Sequence, residues 1–180
     1  PLAALLTSEQ GKPLAQARLE IQRSCTTLRY FAQVELPIRT FRHSEMERIY
    51  ERRAPLGIVA AIVPWNFPIT LLMNKLAPAL LTGNCIIAKP APTTPLTTLE
   101  IGHICSSILP DGVISVLSDS NNLGASLTSH PDIAKIAFTG STETARAINK
   151  SLANLHGPLP VLIAETGGQN ALIVDSSALP

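Results

Sequence analysis

The sequence has few charged residues and no long apolar run, and each shortage excludes a class of partner. Charged residues make up 15% of the 180 residues, and the formal net charge is +1. A chain with so little excess of one charge has no field that attracts nucleic acid or an acidic membrane. Proline, glycine or a polar residue interrupts every apolar stretch, well before the roughly 20 residues that a membrane-spanning helix needs. We therefore expect neither nucleic acid nor a membrane as a partner.

Cysteines and glycine motifs are also scarce. Cys25, Cys85 and Cys105 form no CxxC pair and have no metal-ligand spacing. This pattern favours a reducing compartment, and thus a cytoplasmic protein without disulfides or a metal site. The GxGxxG fingerprint is absent, which argues against an ordinary Rossmann reductase.

The first third of the chain predicts helices followed by a ribbon. Helical spacing of apolar residues over 2–35, with a break at 8–13, predicts two helices, the second from about 14 to 34. Residues 37–53 alternate with a period of two and predict a two-stranded ribbon that is able to pair with a partner chain.

From residue 57 onward, short apolar strands alternate with helices. The predicted strands are 57–63, 84–88, 113–117, 133–138, 160–164 and 170–175. The predicted helices are 69–82, 95–108, 122–128 and 142–154. Near-continuous apolar strands that alternate with helices indicate an α/β, Rossmann-like parallel sheet with helices on both faces. Ligands of such sheets bind beyond the carboxyl ends of the strands.

One polar side chain, Asn66, follows the first of these strands in the stretch Pro64-Trp65-Asn66-Phe67-Pro68. Proline fixes φ and has no N–H group, so the two prolines end the strand and stiffen the turn around Asn66. A side-chain amide held in this way is suited to donate a hydrogen bond to a developing oxyanion.

Two further strand ends carry groups that suit a nucleotide. Lys89 follows a buried strand and can donate to ribose hydroxyls, although a lysine that extends its ammonium to solvent is an equal alternative. Gly140 and Ser141 lie between a strand and a helix, where free N–H groups and the helix dipole favour a pyrophosphate. The alternative is that Ser141 only caps its helix.

Glu165 ends an apolar strand, directly before Thr166 and the pair Gly167-Gly168. Apolar surroundings would raise its pKa towards that of a general base, and the glycines permit close approach of a ligand. The alternative is a glutamate that faces solvent at a turn.

These motifs together resemble the aldehyde dehydrogenase superfamily. The resemblance extends from about Glu9 to Pro180 and rests on four motifs in order: Pro64-Trp65-Asn66-Phe67-Pro68, Lys89-Pro90, Phe138-Thr139-Gly140-Ser141-Thr142 and Glu165-Thr166-Gly167-Gly168. It implies three parts. These are N-terminal helices at 1–36, an oligomerisation ribbon at 37–53 and an NAD(P)-binding domain at 54–180. We expect the chain to form a homo-oligomer through the ribbon. We also expect the NAD(P)-binding domain to be cut off before the catalytic domain.

The resemblance also implies roles for individual residues. Asn66 would stabilise the oxyanion and Glu165 would activate water. Lys89 would bind the adenosine ribose, and Gly140 and Ser141 the pyrophosphate. The remaining expected cofactor contacts are Ile62, Val63, Pro64, Trp65, Pro92 and Thr166.

The implied reaction is oxidation of a small-molecule aldehyde by NAD through a cysteine thioester. In this family the nucleophilic cysteine lies downstream of the Glu165 motif, beyond Pro180, so we expect this chain alone to be inactive. The alternative is a non-catalytic paralogue that binds nucleotide or pairs with a full-length subunit.

Two features bear on specificity. Pro92 stands where the family often has a glutamate that binds the ribose 2′-hydroxyl, so we expect NADP to be accepted as well as NAD. Residues 138–180 resemble the dehydrogenases of glutamate semialdehyde (pyrroline-5-carboxylate), whereas residues 9–137 resemble broad-range aldehyde dehydrogenases. The sequence leaves the aldehyde open between these two classes.

Overall fold

Five parallel strands form the central sheet of the chain, for which a computed structural model describes residues 1–120, 122–168, 170–175 and 177. The bounds of these strands are β3 Ile58–Ile62, β4 Cys85–Lys89, β5 Ile114–Val116, β6 Ile133–Thr139 and β7 Val161–Glu165. They lie in the order β5-β4-β3-β6-β7. The predicted parallel α/β sheet is therefore confirmed.

The helices also lie close to their predicted positions. Their bounds are α1 Leu2–Gln10, α2 Leu14–Ala32, α3 Pro68–Leu81, α4 Leu96–Ser106, α5 Leu123–Thr128 and α6 Thr142–Leu152. Gly11 ends α1 with a φ of 82°, a conformation that glycine adopts without steric cost. None of the described helices has the length and apolar composition required to cross a bilayer.

The central strand β3 is apolar on both faces because helices cover both sides of the sheet there. In β3, Val59 and Ala61 pack with α3 on one side, whereas Ala60 packs towards α6 on the other. All three side chains are buried. This burial explains why the strand is a continuous apolar run without alternating polar residues.

The N-terminal helices are joined to the sheet domain by carboxylates. Glu9, on α1, accepts hydrogen bonds from the backbone N–H groups of Leu96 and Thr97 at 2.7 and 3.0 Å. The residue before α4 is Pro95, which has no side chain that caps the helix. Burial raises the pKa of Glu9, and the two N–H groups oppose that rise. An acidic residue of one helix thus caps the N-terminus of another.

The predicted ribbon is confirmed as an antiparallel pair, β1 Arg39–His43 and β2 Arg48–Glu51. Every residue from 37 to 53 is exposed except Glu51, which is half-buried. Large apolar side chains are among the exposed ones, and they include Ile38, Phe41, Met46 and Tyr50.

The strand predicted at 170–175 is wrong for the described residues. These six residues have no regular secondary structure, and Leu172, Ile173 and Val174 are exposed. Their apolar composition favours a strand, but a strand also needs a neighbour that accepts its hydrogen bonds. The predicted NAD(P)-binding domain ends at residue 180, and residues 178–180 lie outside the described residues.

We predict that Glu9→Ala lowers the free energy of unfolding by about 1 kcal/mol, because two first-turn N–H groups of α4 lose their acceptor. Urea denaturation followed by circular dichroism measures the change. Glu100→Ala is the matched control, since Glu100 is an exposed residue within α4 itself, and its effect is expected to be within about 0.5 kcal/mol. Equal effects of the two substitutions would contradict the capping role of Glu9.

Candidate functional site

A cleft of about 500 Å³ lies at the carboxyl ends of the sheet strands. The register aligns these ends, because Ile62 is paired with Lys89 on one side and with Phe138 on the other. The next pair along the sheet is Thr139 with Glu165. The volume is within the range of 300–1,000 Å³ that is typical of small-molecule sites.

The structure brings together all of the residues that the sequence predicted for the site. Those that line the cleft are Ile62, Val63, Pro64, Trp65, Asn66, Lys89, Pro92, Gly140, Ser141, Glu165 and Thr166. Their roles remain predictions, but their common location follows directly from the sheet order and register.

Asn66 is held mainly through its backbone. Its carbonyl oxygen accepts hydrogen bonds from Gln10 Nε2 at 3.0 Å and from Lys12 Nζ at 2.8 Å. Its own Oδ1 accepts the backbone N–H of Phe67 at 3.0 Å. Since Oδ1 is engaged within the turn, the NH₂ group of the side chain remains as the donor that Asn66 can offer to a ligand.

Lys89 is buried, with 4% of its surface exposed, and is paired with Asp119. The Lys89 Nζ to Asp119 Oδ1 distance is 2.8 Å. Asp119 also accepts the backbone N–H of Leu123 at the start of α5. The alternative of a lysine that extends to solvent is therefore wrong. The sequence analysis missed Asp119, because the only sign of it is an acidic residue in the loop after β5.

Gly140 and Ser141 connect β6 to α6. The Gly140 N–H donates to the backbone carbonyl of Glu165 at 3.1 Å, so this N–H continues the sheet. A Cβ atom at position 140 would lie 2.5 Å from the ring of Phe138, so any larger residue there would require Phe138, which is buried, to move. Ser141 Oγ accepts the backbone N–H of Thr144 at 3.1 Å, and Ser141 therefore caps its helix as the simpler interpretation predicted.

Glu165 is exposed, which corrects the prediction of apolar surroundings. It ends β7, an edge strand that pairs only with β6 among the described strands, and most of this strand is exposed. The apolar sequence of β7 predicted burial, but the described residues provide no layer that covers this edge. Thr166 and Gly167, which follow, are exposed as well.

Lys75, on α3, is a charged residue near the cleft that the sequence analysis did not select. Its Nζ donates to Thr139 Oγ1 at 2.6 Å. Burial lowers the pKa of Lys75, and the charge of Glu165 opposes that decrease. The available signal was that Lys75 is the only charged residue of α3. A charged residue beside a cleft whose pKa is shifted by burial and by a charged neighbour is a candidate functional residue.

A second cavity, a groove of about 1,320 Å³, adjoins the cleft. Leu71, Phe138, Thr139 and Glu165 line both, whereas Lys75 lines only the groove. The groove extends from these residues to the exposed ribbon. The described residues contain no cluster of His, Cys, Asp or Glu side chains that could hold a metal ion.

The residues of the cleft fit a dinucleotide. Lys89 has three N–H donors and gives one to Asp119, so two remain for hydroxyl groups. The first-turn N–H groups of α6 other than that of Thr144 are suited to a pyrophosphate. Trp65, which is 60% exposed, offers an aromatic face at the same cleft.

Comparison with known proteins places the chain in a single family. The sequence model of the aldehyde dehydrogenase family matches residues 1–178. The chain is 41% identical over 172 residues to the aldehyde dehydrogenase LUC3 of a Fusarium species, and the match covers 94% of this chain and 35% of LUC3. The chain spans roughly a third of the length of the curated relatives it matches.

Solved structures agree with this result. The chain superposes on PnpE in complex with nicotinamide adenine dinucleotide with a TM-score of 0.87 and 36% identity, covering 94% of this chain and 35% of PnpE. A variant of proline utilization A (PutA) from Bradyrhizobium japonicum gives a TM-score of 0.86 and 37% identity, covering 93% of this chain and 18% of PutA.

We predict that Glu165→Gln lowers the pKa of Lys75 further, because the substitution removes the charge that opposes the effect of burial. Titration of a ¹³Cε-labelled sample by NMR measures this pKa. At pH values between the folded-state pKa of Lys75 and its ordinary value of 10.5, the unfolded chain binds more protons than the folded chain. The free energy of unfolding therefore rises with pH over this range. In the Glu165→Gln variant, this pH range extends to lower values.

Glu143→Gln is the control for this titration. Glu143 lies in the first turn of α6 and is exposed, so its removal is expected to leave the pKa of Lys75 unchanged. A Lys75 pKa that is the same in the Glu165→Gln variant and in the original chain would contradict the interaction.

Proposed function

The chain belongs to the aldehyde dehydrogenase family, and on that basis we propose that it is the cofactor-binding part of an enzyme that oxidises an aldehyde to a carboxylic acid with NAD or NADP. The observation that carries the proposal is the single cleft in which Asn66, Lys89, Ser141 and Glu165 meet. A binding module alone would not need an amide donor and a free carboxylate beside the groups suited to a nucleotide.

Cofactor binding is assigned to one side of the cleft. Lys89, already oriented by Asp119, donates to the ribose hydroxyls. The N-terminus of α6 binds the pyrophosphate through its free N–H groups. Ile62, Val63, Pro64, Trp65, Pro92 and Thr166 complete the lining of the pocket. When bound, the nicotinamide accepts a hydride from the substrate.

Asn66 acts on the substrate. Its side-chain NH₂ donates to the oxygen that becomes negatively charged when a thiolate adds to the aldehyde, and again when water adds to the thioester. A preorganised donor of this kind contributes about 3–4 kcal/mol to stabilisation of the transition state. The turn fixes its orientation before the substrate arrives, so little reorganisation accompanies the reaction.

Glu165 is the proposed base for the hydrolytic step. Its carboxylate takes a proton from the attacking water, and exposure in this chain leaves it accessible to water. The nearby Lys75 is coupled to it electrostatically. The remaining part of the site, including the nucleophilic cysteine, is assigned to sequence outside this chain, because no cysteine is among the described residues that line the cleft.

Assembly, compartment and substrate are further parts of the proposal. The exposed apolar side chains on the ribbon at 37–53 support a homo-oligomer that forms through this element. Unpaired cysteines support a cytoplasmic location. The resemblance of residues 138–180 to glutamate semialdehyde dehydrogenases supports glutamate semialdehyde as the substrate. The resemblance of residues 9–137 to broad-range aldehyde dehydrogenases supports a simple aldehyde instead.

The second candidate is a non-catalytic paralogue that binds nucleotide and pairs with a full-length subunit. The observation that favours it is the absence of a cysteine among the described residues of the cleft. Intact mass of the natural protein distinguishes the two, because a mass well above 19.2 kDa supports the enzyme and a mass near that value supports the paralogue.

We predict that Asn66→Ala lowers kcat of the natural protein about 100- to 1,000-fold, because one oxyanion donor is lost. The rate of NADH formation with an aldehyde measures this effect. Asn74→Ala is the control. Asn74 lies on α3, the helix that follows the turn at Asn66, and it lines the adjoining groove. It is not among the residues that line the cleft. A kcat that is unchanged in Asn66→Ala would contradict the assigned role.

We also predict that NAD and NADP both change the fluorescence of Trp65, with similar affinities, because Pro92 offers no carboxylate that would repel a 2′-phosphate. Titration of the natural protein with each cofactor measures this, and a Trp65→Phe variant identifies the signal of Trp65. A much weaker response to NADP would contradict the prediction, and the absence of any response to either cofactor would contradict the assigned cofactor site.

A further inference from the structure

We propose that Lys12 and Glu20, a buried ion pair of the N-terminal helices, are positioning residues that hold Asn66 in the orientation the oxyanion requires. The inference rests on the proposed function of Asn66. Neither residue lines the cleft, and both act through the backbone around Asn66.

Both members of the pair are buried. Lys12 is 8% exposed and Glu20 is 3% exposed, and Lys12 Nζ contacts Glu20 Oε2 directly. Removal of two charges from water costs free energy that a pair of apolar residues would not cost. Stability alone is therefore a weak reason for such a pair, and a role in fixing one conformation is a better one.

Glu20 fixes the start of α3. Its Oε1 accepts the backbone N–H groups of Ile69 and Thr70 at 3.0 and 3.1 Å. The residue before the helix, Phe67, makes no side-chain capping bond, and Pro68 has no N–H group to satisfy. Glu20 thus supplies the cap, and its charge is favourable at the positive end of the helix. The cap sets the position of the residues directly after Asn66.

Lys12 extends this restraint to Asn66 itself. Its ammonium group contacts Glu20 Oε2, donates to the carbonyl oxygen of Asn66 at 2.8 Å, and lies 3.9 Å from the centre of the Phe67 ring. The peptide group that links Asn66 and Phe67 is therefore held on its carbonyl side by Lys12, and on its N–H side by Asn66 Oδ1.

The two restraints determine what the Asn66 side chain can do. Because Asn66 Oδ1 accepts the N–H of Phe67, the NH₂ group of the Asn66 side chain is left to donate to a ligand. Loss of the Lys12 contact leaves Gln10 Nε2 as the side-chain donor to the Asn66 carbonyl among the described hydrogen bonds. The peptide group is then held less firmly, and the amide gains freedom to rotate. Displacement of a catalytic group by about 1 Å can cost about 100-fold in rate.

Lys12→Met in the natural protein tests the proposal, because methionine keeps most of the side-chain length and removes the charge. We expect kcat to fall about 10- to 100-fold, with KM little changed. Glu9→Gln is the matched control. Glu9 caps α4 from the same pair of helices and contacts neither Asn66 nor α3 in the described hydrogen bonds, so kcat is expected to stay at its original value.

A double-mutant cycle with Asn66→Ala separates positioning from a merely structural role. If Lys12 acts through Asn66, then Lys12→Met causes no further loss of kcat once Asn66 is alanine. A loss of the same factor in both backgrounds would overturn the proposal, as would a lower melting temperature with unchanged kcat. If Lys12→Met does not fold, Glu20→Gln provides the same cycle with the size of the side chain conserved.

A second measurement does not depend on activity. A crystal structure of the natural protein with Lys12→Met is expected to show that the Asn66 Oδ1 to Phe67 N hydrogen bond is lost, while Ile69 and Thr70 still contact Glu20. An unchanged Asn66 would overturn the proposal. If the natural protein oxidises no aldehyde, the proposed function fails, and this comparison still decides whether the ion pair positions Asn66.

Discussion

The contact between the N-terminal helices and the start of α3 is the constraint on which the site depends. A buried carboxylate, Glu20, caps α3 across the interface between two helices, and a buried ammonium, Lys12, joins that cap to the backbone of Asn66. Glu9 provides a similar cap for α4. The helices before the ribbon are therefore a structural part of the site, although they contribute no side chain to the lining of the cleft.

The sheet supplies the second requirement, which is convergence. Parallel strands place all their carboxyl ends at the same end of the sheet. The register of β3 with its two neighbours aligns Ile62 with Lys89 and Phe138. Residues that are separated by a hundred positions in the chain therefore share one cleft. The pairing of Lys89 with Asp119 adds a fixed orientation to this convergence.

Much of this arrangement could be predicted from the sequence, because it depends on local patterns. Alternating apolar strands and helices predicted the parallel sheet, and the residue after each strand predicted the cleft. What could not be predicted depends on contacts between distant residues. The contacts of Lys12 and Glu20 with the start of α3 and the pairing of Lys89 with Asp119 leave no local pattern, since they arise only when separate elements pack.

The two errors of prediction have a related cause. The strand expected at 170–175 and the apolar surroundings expected for Glu165 were both inferred from apolar composition. Both stretches lie at or beyond β7, the edge of the described sheet, where the described residues supply neither a pairing strand nor a covering layer. Composition indicates that a segment can be buried, and a neighbour decides whether it is.

The most direct test of the account is a crystal structure of the natural protein with bound NAD. The account predicts that Lys89 Nζ contacts the adenosine ribose, that the pyrophosphate lies at the N-terminus of α6, and that the nicotinamide lies on the side of Asn66 and Glu165. A cofactor bound outside this cleft, or bound with its pyrophosphate away from α6, would contradict the central claim that the strand ends of this chain form a dinucleotide site.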